Sequence, residues 1–169
     1  MKVLRRLLLL GALVLLANGC ANYRLGTAVP QELRTVAVPL FVNASGQPKA
    51  EVWVTQAVLS EFRREGTMKI ADREDAALRV VGRVTDCKLD PIRFDGDNPY
   101  LAVEYRMTLR AEVQVKEQAT GKVLVKLGTV EGSVIFRTQS DLASTKRDAL
   151  PHAAAMMAKA IVRDTVNAW

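Results

Sequence analysis

Few side chains in this sequence could do covalent or metal chemistry. There are two cysteines, Cys20 and Cys87, and one histidine, His152. Together they cannot supply the set of ligands that a zinc site needs. His152 follows Pro151 at a helix start, the position of a surface residue and not of a base. The stretch "FDGDNP", Phe94 to Pro99, has the D-x-D spacing of a calcium loop but lacks the later bidentate glutamate, and its composition is that of a reverse turn. No glycine-rich phosphate loop, nucleophile elbow or Ser-His-Asp set can be assembled. These residues point away from an enzyme and toward a binding or assembly role.

Cys20 is the exception, because of what precedes it. Lys2, Arg5 and Arg6 make a basic start, and Leu7 to Ala17 is an apolar run of 11 residues. A bilayer-spanning helix needs about 20 apolar residues, whereas a secretory signal needs roughly 7 to 15 and small residues at the cut. Residues 1–19 therefore read as an export signal. Ala17, Gly19 and Cys20 resemble the lipobox of bacterial lipoproteins, in which the thiol is acylated and Cys20 becomes the first residue of the mature chain. Ala17 stands where leucine is usual in that box. Ala21, where an aspartate would favour the inner membrane, points to the outer membrane, with the domain on its periplasmic side. One acyl chain holds a protein only marginally, so stable anchoring takes several.

Beyond the signal, 150 of the 169 residues remain, enough for a single domain spanning 20–169 that buries about 70% of its unfolded surface. The whole chain is +6, but Lys2, Arg5 and Arg6 leave with the signal, so 21 basic residues face 18 acidic ones, a net +3. With no block of like charges, nothing favours a nucleic-acid partner. If Cys20 is acylated, Cys87 has no partner for a disulfide; it sits in an apolar, strand-like run and reads as a small buried residue.

Periodicity supplies the elements that must position any site. "LRTVAVPLFVN", Leu33 to Asn43, is rich in β-branched residues and reads as a strand buried on both faces. From Glu51 to Glu65 the apolar positions Val54, Ala57, Val58 and Phe62 recur at helical spacing, widened by Trp53 and closed by Gly66. "TMKIADRED" gives a short strand and a turn. From Leu101 to Lys116 every second residue is apolar and the others are polar or charged, the pattern of a long strand with one wet face. Leu78 to Val84 begins a similar strand before it, and Lys122 to Phe136 supplies one after it, in an antiparallel meander. Leu150, Ala154, Met157, Ala158, Ile161 and Thr165 mark one face of a terminal helix, whose regular part is placed near Asp148 because Pro151 is tolerated only in a first turn. The expected fold is α+β, a two-layer sandwich with two helices on one face of a mainly antiparallel four-stranded sheet.

The segments "GCANYRLG", "TVAVPLFVN", "FRREG", "ALRVVGRVTD", "AVEYRMTLRAEVQV" and "TGKVLVK", with the Ala-rich terminal helix, resemble the LptE family of lipopolysaccharide-assembly lipoproteins. The resemblance spans nearly the whole mature chain. It implies a plug inside the large outer-membrane β-barrel LptD, assistance in that barrel's assembly, and lipopolysaccharide binding and delivery to the cell surface. No cofactor is implied beyond the covalent lipid on Cys20. The helix after "VAVPLF" is also similar to other exported lipoproteins and modules, namely the N-terminal domain of TolB, curli-secretion lipoproteins and peptidoglycan-synthase activators. These would make the chain a different protein-binding module.

The residues give their own reason for a plug. A strand of 15 residues reaches roughly 50 Å against the usual 17 to 20 Å, and its charged face is left uncovered by a single helix layer. In the meander, the turn "PIRFDGDNPY" and the connection "FRTQSDLASTKRD" fall at the same end of the sheet. Arg93, Arg137, Lys146 and Arg147 would then stand at one tip, where they could bind the phosphates of lipid A. Asp95, Asp97, Asp141 and Asp148 share those loops and could neutralise them. The anchor has a direct test: Cys20→Ala should accumulate as an unprocessed precursor without lipid label, and normal maturation of that variant would refute acylation at this residue.

Overall fold

The alternation along the central strand dictates everything laid against it. In the computed structural model, which describes residues 29–138 and 141–169, Met107, Leu109, Ala111, Val113 and Val115 are all completely buried. They lie on β5 (Ala102–Glu117), between β4 (Leu78–Phe94) and β6 (Val123–Arg137). Both neighbours pair with it antiparallel along almost its full length, from Leu78↔Glu117 to Phe94↔Ala102 and from Glu104↔Arg137 to Lys116↔Val123. At about 3.3 Å per residue, the 17 residues of β4 reach more than 50 Å.

The first half of the chain corrects the expected sheet. Leu33 to Asn43 forms two short strands, β1 (Thr35–Ala37) and β2 (Val42–Asn43), and each pairs parallel with β4. Pro39, between them, has no N–H to give a ladder. The backbone instead leaves the sheet so that Phe41 is buried and its ring lies over Gly82, in the space a Cβ would fill. The Phe41 amide donates to Thr55 Oγ1 at 3.0 Å. A third short strand, β3 (Lys69–Ile70), pairs parallel with β1. The sheet thus has six strands and is mixed, not mainly antiparallel and four-stranded, with the path β3-β1-β4-β5-β6 and β2 on β4.

Two helices cover one face, as expected. Helix α1 (Ala50–Glu65) buries Ala50, Val54, Val58 and Phe62, one residue per turn, and ends at Gly66, whose φ of 82° admits the left-handed cap. Helix α2 (Leu142–Val166) starts well before Asp148. Asp141 caps it, accepting from the amides of Ala143 at 3.0 Å and Ser144 at 2.9 Å. Pro151 therefore lies inside the helix, where it removes the hydrogen bond that residue 151 would give to the carbonyl of Arg147. Tertiary packing overrides that loss, since Ala149, Leu150, Ala153, Ala154, Met157, Ala158, Ile161 and Val162 are all buried.

Helix α2 lies along β6 and β5, with α1 beside it. Its approach is set by Gly132 of β6, where any Cβ would run into the Ala153 carbonyl oxygen and the Met157 amide nitrogen. Both are backbone atoms that cannot turn aside. In a chain beginning at Asn22, Gly132→Ala should lower stability by about 1–3 kcal/mol in a denaturant melt. Gly96→Ala, whose Cβ would meet nothing within 4 Å, should change it by less than about 0.5 kcal/mol. Equal effects of the two substitutions would contradict the close packing at Gly132.

Candidate functional site

Because residues directly opposite each other in an antiparallel ladder share a face, the register converts the polar half of β5 into rows that cross three strands. Toward the hairpin tip the row is Arg93–Glu104–Arg137, then Asp90–Arg106–Ile135, Lys88–Thr108–Ser133 and Asp86–Arg110–Glu131. Opposite charges alternate within the first and last rows. Glu104 receives Arg93 Nε at 3.5 Å and Arg137 Nε at 3.1 Å. Arg110 is held between Asp86 at 3.5 Å and Glu131 at 2.5 Å, and the bond to Glu131 holds its guanidinium above its ordinary pKa. Lys88 pairs with Asp90 at 2.7 Å. Neither helix packs on this face.

The structure divides the four basic residues singled out in the sequence. Arg93 and Arg137 come together on Glu104 on the open face. Lys146 lies in the second turn of α2, in the helix layer on the other side of the sheet, where its charge acts on Cys87. Arg147 is exposed and lines a cleft of about 660 Å³ with Lys49, Trp53 and Pro151. Of the acidic residues in these loops, Asp141 is committed to the α2 cap, and its carboxyl is held below its usual pKa by the Ser144 and Ala143 amides. Asp95 folds the turn, accepting from the amides of Asp97 at 2.9 Å and Asn98 at 3.1 Å, and its own amide closes the hairpin to the Leu101 carbonyl at 2.8 Å. Asp148 lines the Trp53 cleft. Cys20 and the signal at 1–19 fall outside the described residues.

Glu104 and Arg106 carry no motif, and their roles are set by cross-strand neighbours at distant positions in the chain. Only their alternation along β5 marked them as facing water. His152 is exposed. Among the described residues, no group of three His, Cys, Asp or Glu could hold a metal, and no helix is long and apolar enough to cross a membrane. The arrangement is a wide polar sheet face on which most of the charges named above are already paired.

Residues 33–165 match the model of the LptE family, described as lipopolysaccharide-assembly. The chain belongs to the LptE family. No curated protein matches it in sequence. The fold is similar to several solved structures at low identity. One is a candidate lipoprotein from Caulobacter crescentus CB15, 15% identical with a TM-score of 0.56, covering 80% of this chain and 90% of that one. Another is a protein from Chlamydia trachomatis, 9% identical with a TM-score of 0.54, covering 79% and 95%. A third, from Xanthomonas campestris, is 13% identical with a TM-score of 0.52 and covers 85% and 91%. At such identities the likeness speaks for the fold alone.

Cys87 is paired with Leu109 and turned toward the helix layer. Burial pushes its thiol pKa above the ordinary value, opposed by Lys146. A raised pKa lowers the thiolate fraction and burial limits access, so iodoacetamide should label it about tenfold more slowly in the folded chain than in denaturant at pH 7.5. Labelling at the unfolded rate at pH 7.5 would contradict this placement.

Proposed function

We propose that this LptE-family chain is an outer-membrane lipoprotein, anchored through Cys20, that occupies and helps assemble an LptD-like β-barrel, binds lipopolysaccharide and aids its delivery to the cell surface. It acts by docking and binding, with no catalytic step and no cofactor beyond its covalent lipid. The observation that carries this reading is the uncovered face of β4, β5 and β6, more than 50 Å long and crossed by rows of paired charges. A wide outer-membrane barrel has a water-lined, polar lumen inside an apolar band about 25 Å tall. A charged sheet face suits such a lumen and would be expelled from lipid. Family membership supports the same partner.

For the ligand, the reading rests on Arg93 and Arg137. Glu104 holds both guanidiniums side by side in one row, so little side-chain freedom is lost when they meet a phosphate, which guanidinium grips in bidentate fashion. Lys146 and Arg147 stand apart from this pair and contribute less.

The test is isolation of the chain from detergent-solubilised outer membranes. A barrel of the LptD kind should accompany it at equal stoichiometry. Recovery with Tol components, a curli pore or a peptidoglycan synthase in place of the barrel would overturn the partner. Changing Arg93 and Arg137 together to Glu should weaken lipopolysaccharide binding while the barrel is retained, whereas Lys146→Glu with Arg147→Glu should have the smaller effect. Unchanged binding by the Arg93/Arg137 variant at low salt, where screening is least, would refute the assigned ligand site.

A further inference from the structure

The cations of the open face differ in what already occupies them. Arg93 and Arg137 share Glu104, Arg110 lies between Asp86 and Glu131, and Lys88 is paired with Asp90. Arg106 is exposed and forms no ion pair among the described residues. Its neighbours across the ladder are Asp90, already engaged by Lys88, and Ile135, which is apolar. It borders a hollow of about 690 Å³. Thr108 and Ser133, opposite each other in the next row, line that hollow with their hydroxyls on offer. Its rim toward α2 is apolar, with Ile135 50% and Met156 49% exposed.

We infer that this hollow binds the phosphorylated sugar head of an amphiphilic glycolipid, with Arg106 on the phosphate. Thr108 and Ser133 hydrogen-bond the sugar, and Ile135 and Met156 lie along the first methylenes of an acyl chain. Asp90, Arg110 and Glu131 also line the hollow, each already held in an ion pair, which leaves Arg106, the two hydroxyls and the apolar rim to select the parts of such a ligand. Arg106 meets an incoming anion without displacing a partner, and unlike Arg83, which also forms no ion pair among the described residues of this face, it stands beside paired hydroxyls and an apolar rim. Paired hydroxyls can donate or accept and so suit sugar hydroxyls in either orientation. The large exposed apolar side chains at the rim would gain nothing from free phosphate but would be covered by a lipid chain. The inference rests on the reading that this chain binds lipopolysaccharide, and it adds an anion position about 7 Å along the strand from the Arg93–Arg137 row.

The experiment uses the full acylated chain kept soluble in amphipol, with bisphosphorylated lipid A, its dephosphorylated form and inorganic phosphate as probes. Arg106→Gln should weaken binding of bisphosphorylated lipid A by about tenfold, the scale of one charge-assisted contact. Binding of the dephosphorylated form and the melting temperature should stay unchanged, and Arg106→Lys should restore most of the affinity. Ile135→Ser with Met156→Ser should weaken lipid A binding without altering the weak competition by inorganic phosphate. Wild-type affinity in Arg106→Gln, when the Arg93/Arg137 variant has lost binding, would overturn this inference and leave the proposed function standing. Failure of the unsubstituted chain to bind lipid A would remove both. Competition by inorganic phosphate at the concentration of lipid A would also overturn the inference, by assigning Arg106 to free phosphate.

Discussion

The fold depends on the register of β5. A slip of one residue against β4 or β6 would carry Met107, Leu109, Ala111, Val113 and Val115 to the open side and bring Glu104, Arg106, Arg110 and Glu112 under the helices. Burying several charges among apolar side chains has no local remedy, so the register is fixed by what the alternative would cost. Once it is fixed, so are both faces. The buried one receives α2 at the depth that Gly132 permits, and the other becomes a ladder of charges with no layer above it among the described residues.

Elements whose signal is local were legible in the sequence. The period of two in β5 and the Val54, Val58 and Phe62 stripe ended by Gly66 depend on residues close together in the chain and stand as expected, whereas Trp53 is exposed and Ala57 only half-buried. The split of β1 from β2 was not visible, because it depends on Phe41 finding the missing Cβ of Gly82, some 40 residues on. The start of α2 was obscured by Pro151. The capping aspartate at 141 was there to read, but the packing that outweighs the lost hydrogen bond belongs to the sheet beneath. Likewise Arg137 and Lys146, close in sequence, lie on opposite sides of the sheet because the chain crosses from β6 to the helix layer between them.

The paired charges of the open face have a consequence for docking. Exposed ion pairs contribute little to the stability of the free chain, and desolvating unpaired charges in an interface is costly. Rows in which each acid already has its base can enter a polar lumen with less to lose, and their complementarity fixes orientation more than affinity. A binding role is thus compatible with a surface that is charged yet nearly balanced. The family's link to lipopolysaccharide assembly gives that surface a setting, which in the proposed function is a barrel wall on one side and a phosphorylated lipid near the tip.

The claim that the open face meets the barrel is tested most directly by photocrosslinking from single positions in the intact complex. Glu112 is exposed at the centre of the open face, and Lys159 is exposed on the outer side of α2. A crosslinker at Glu112 should give an adduct with the barrel in a complex of normal stoichiometry. Adducts from Lys159 with none from Glu112, in an equally intact complex, would contradict the account.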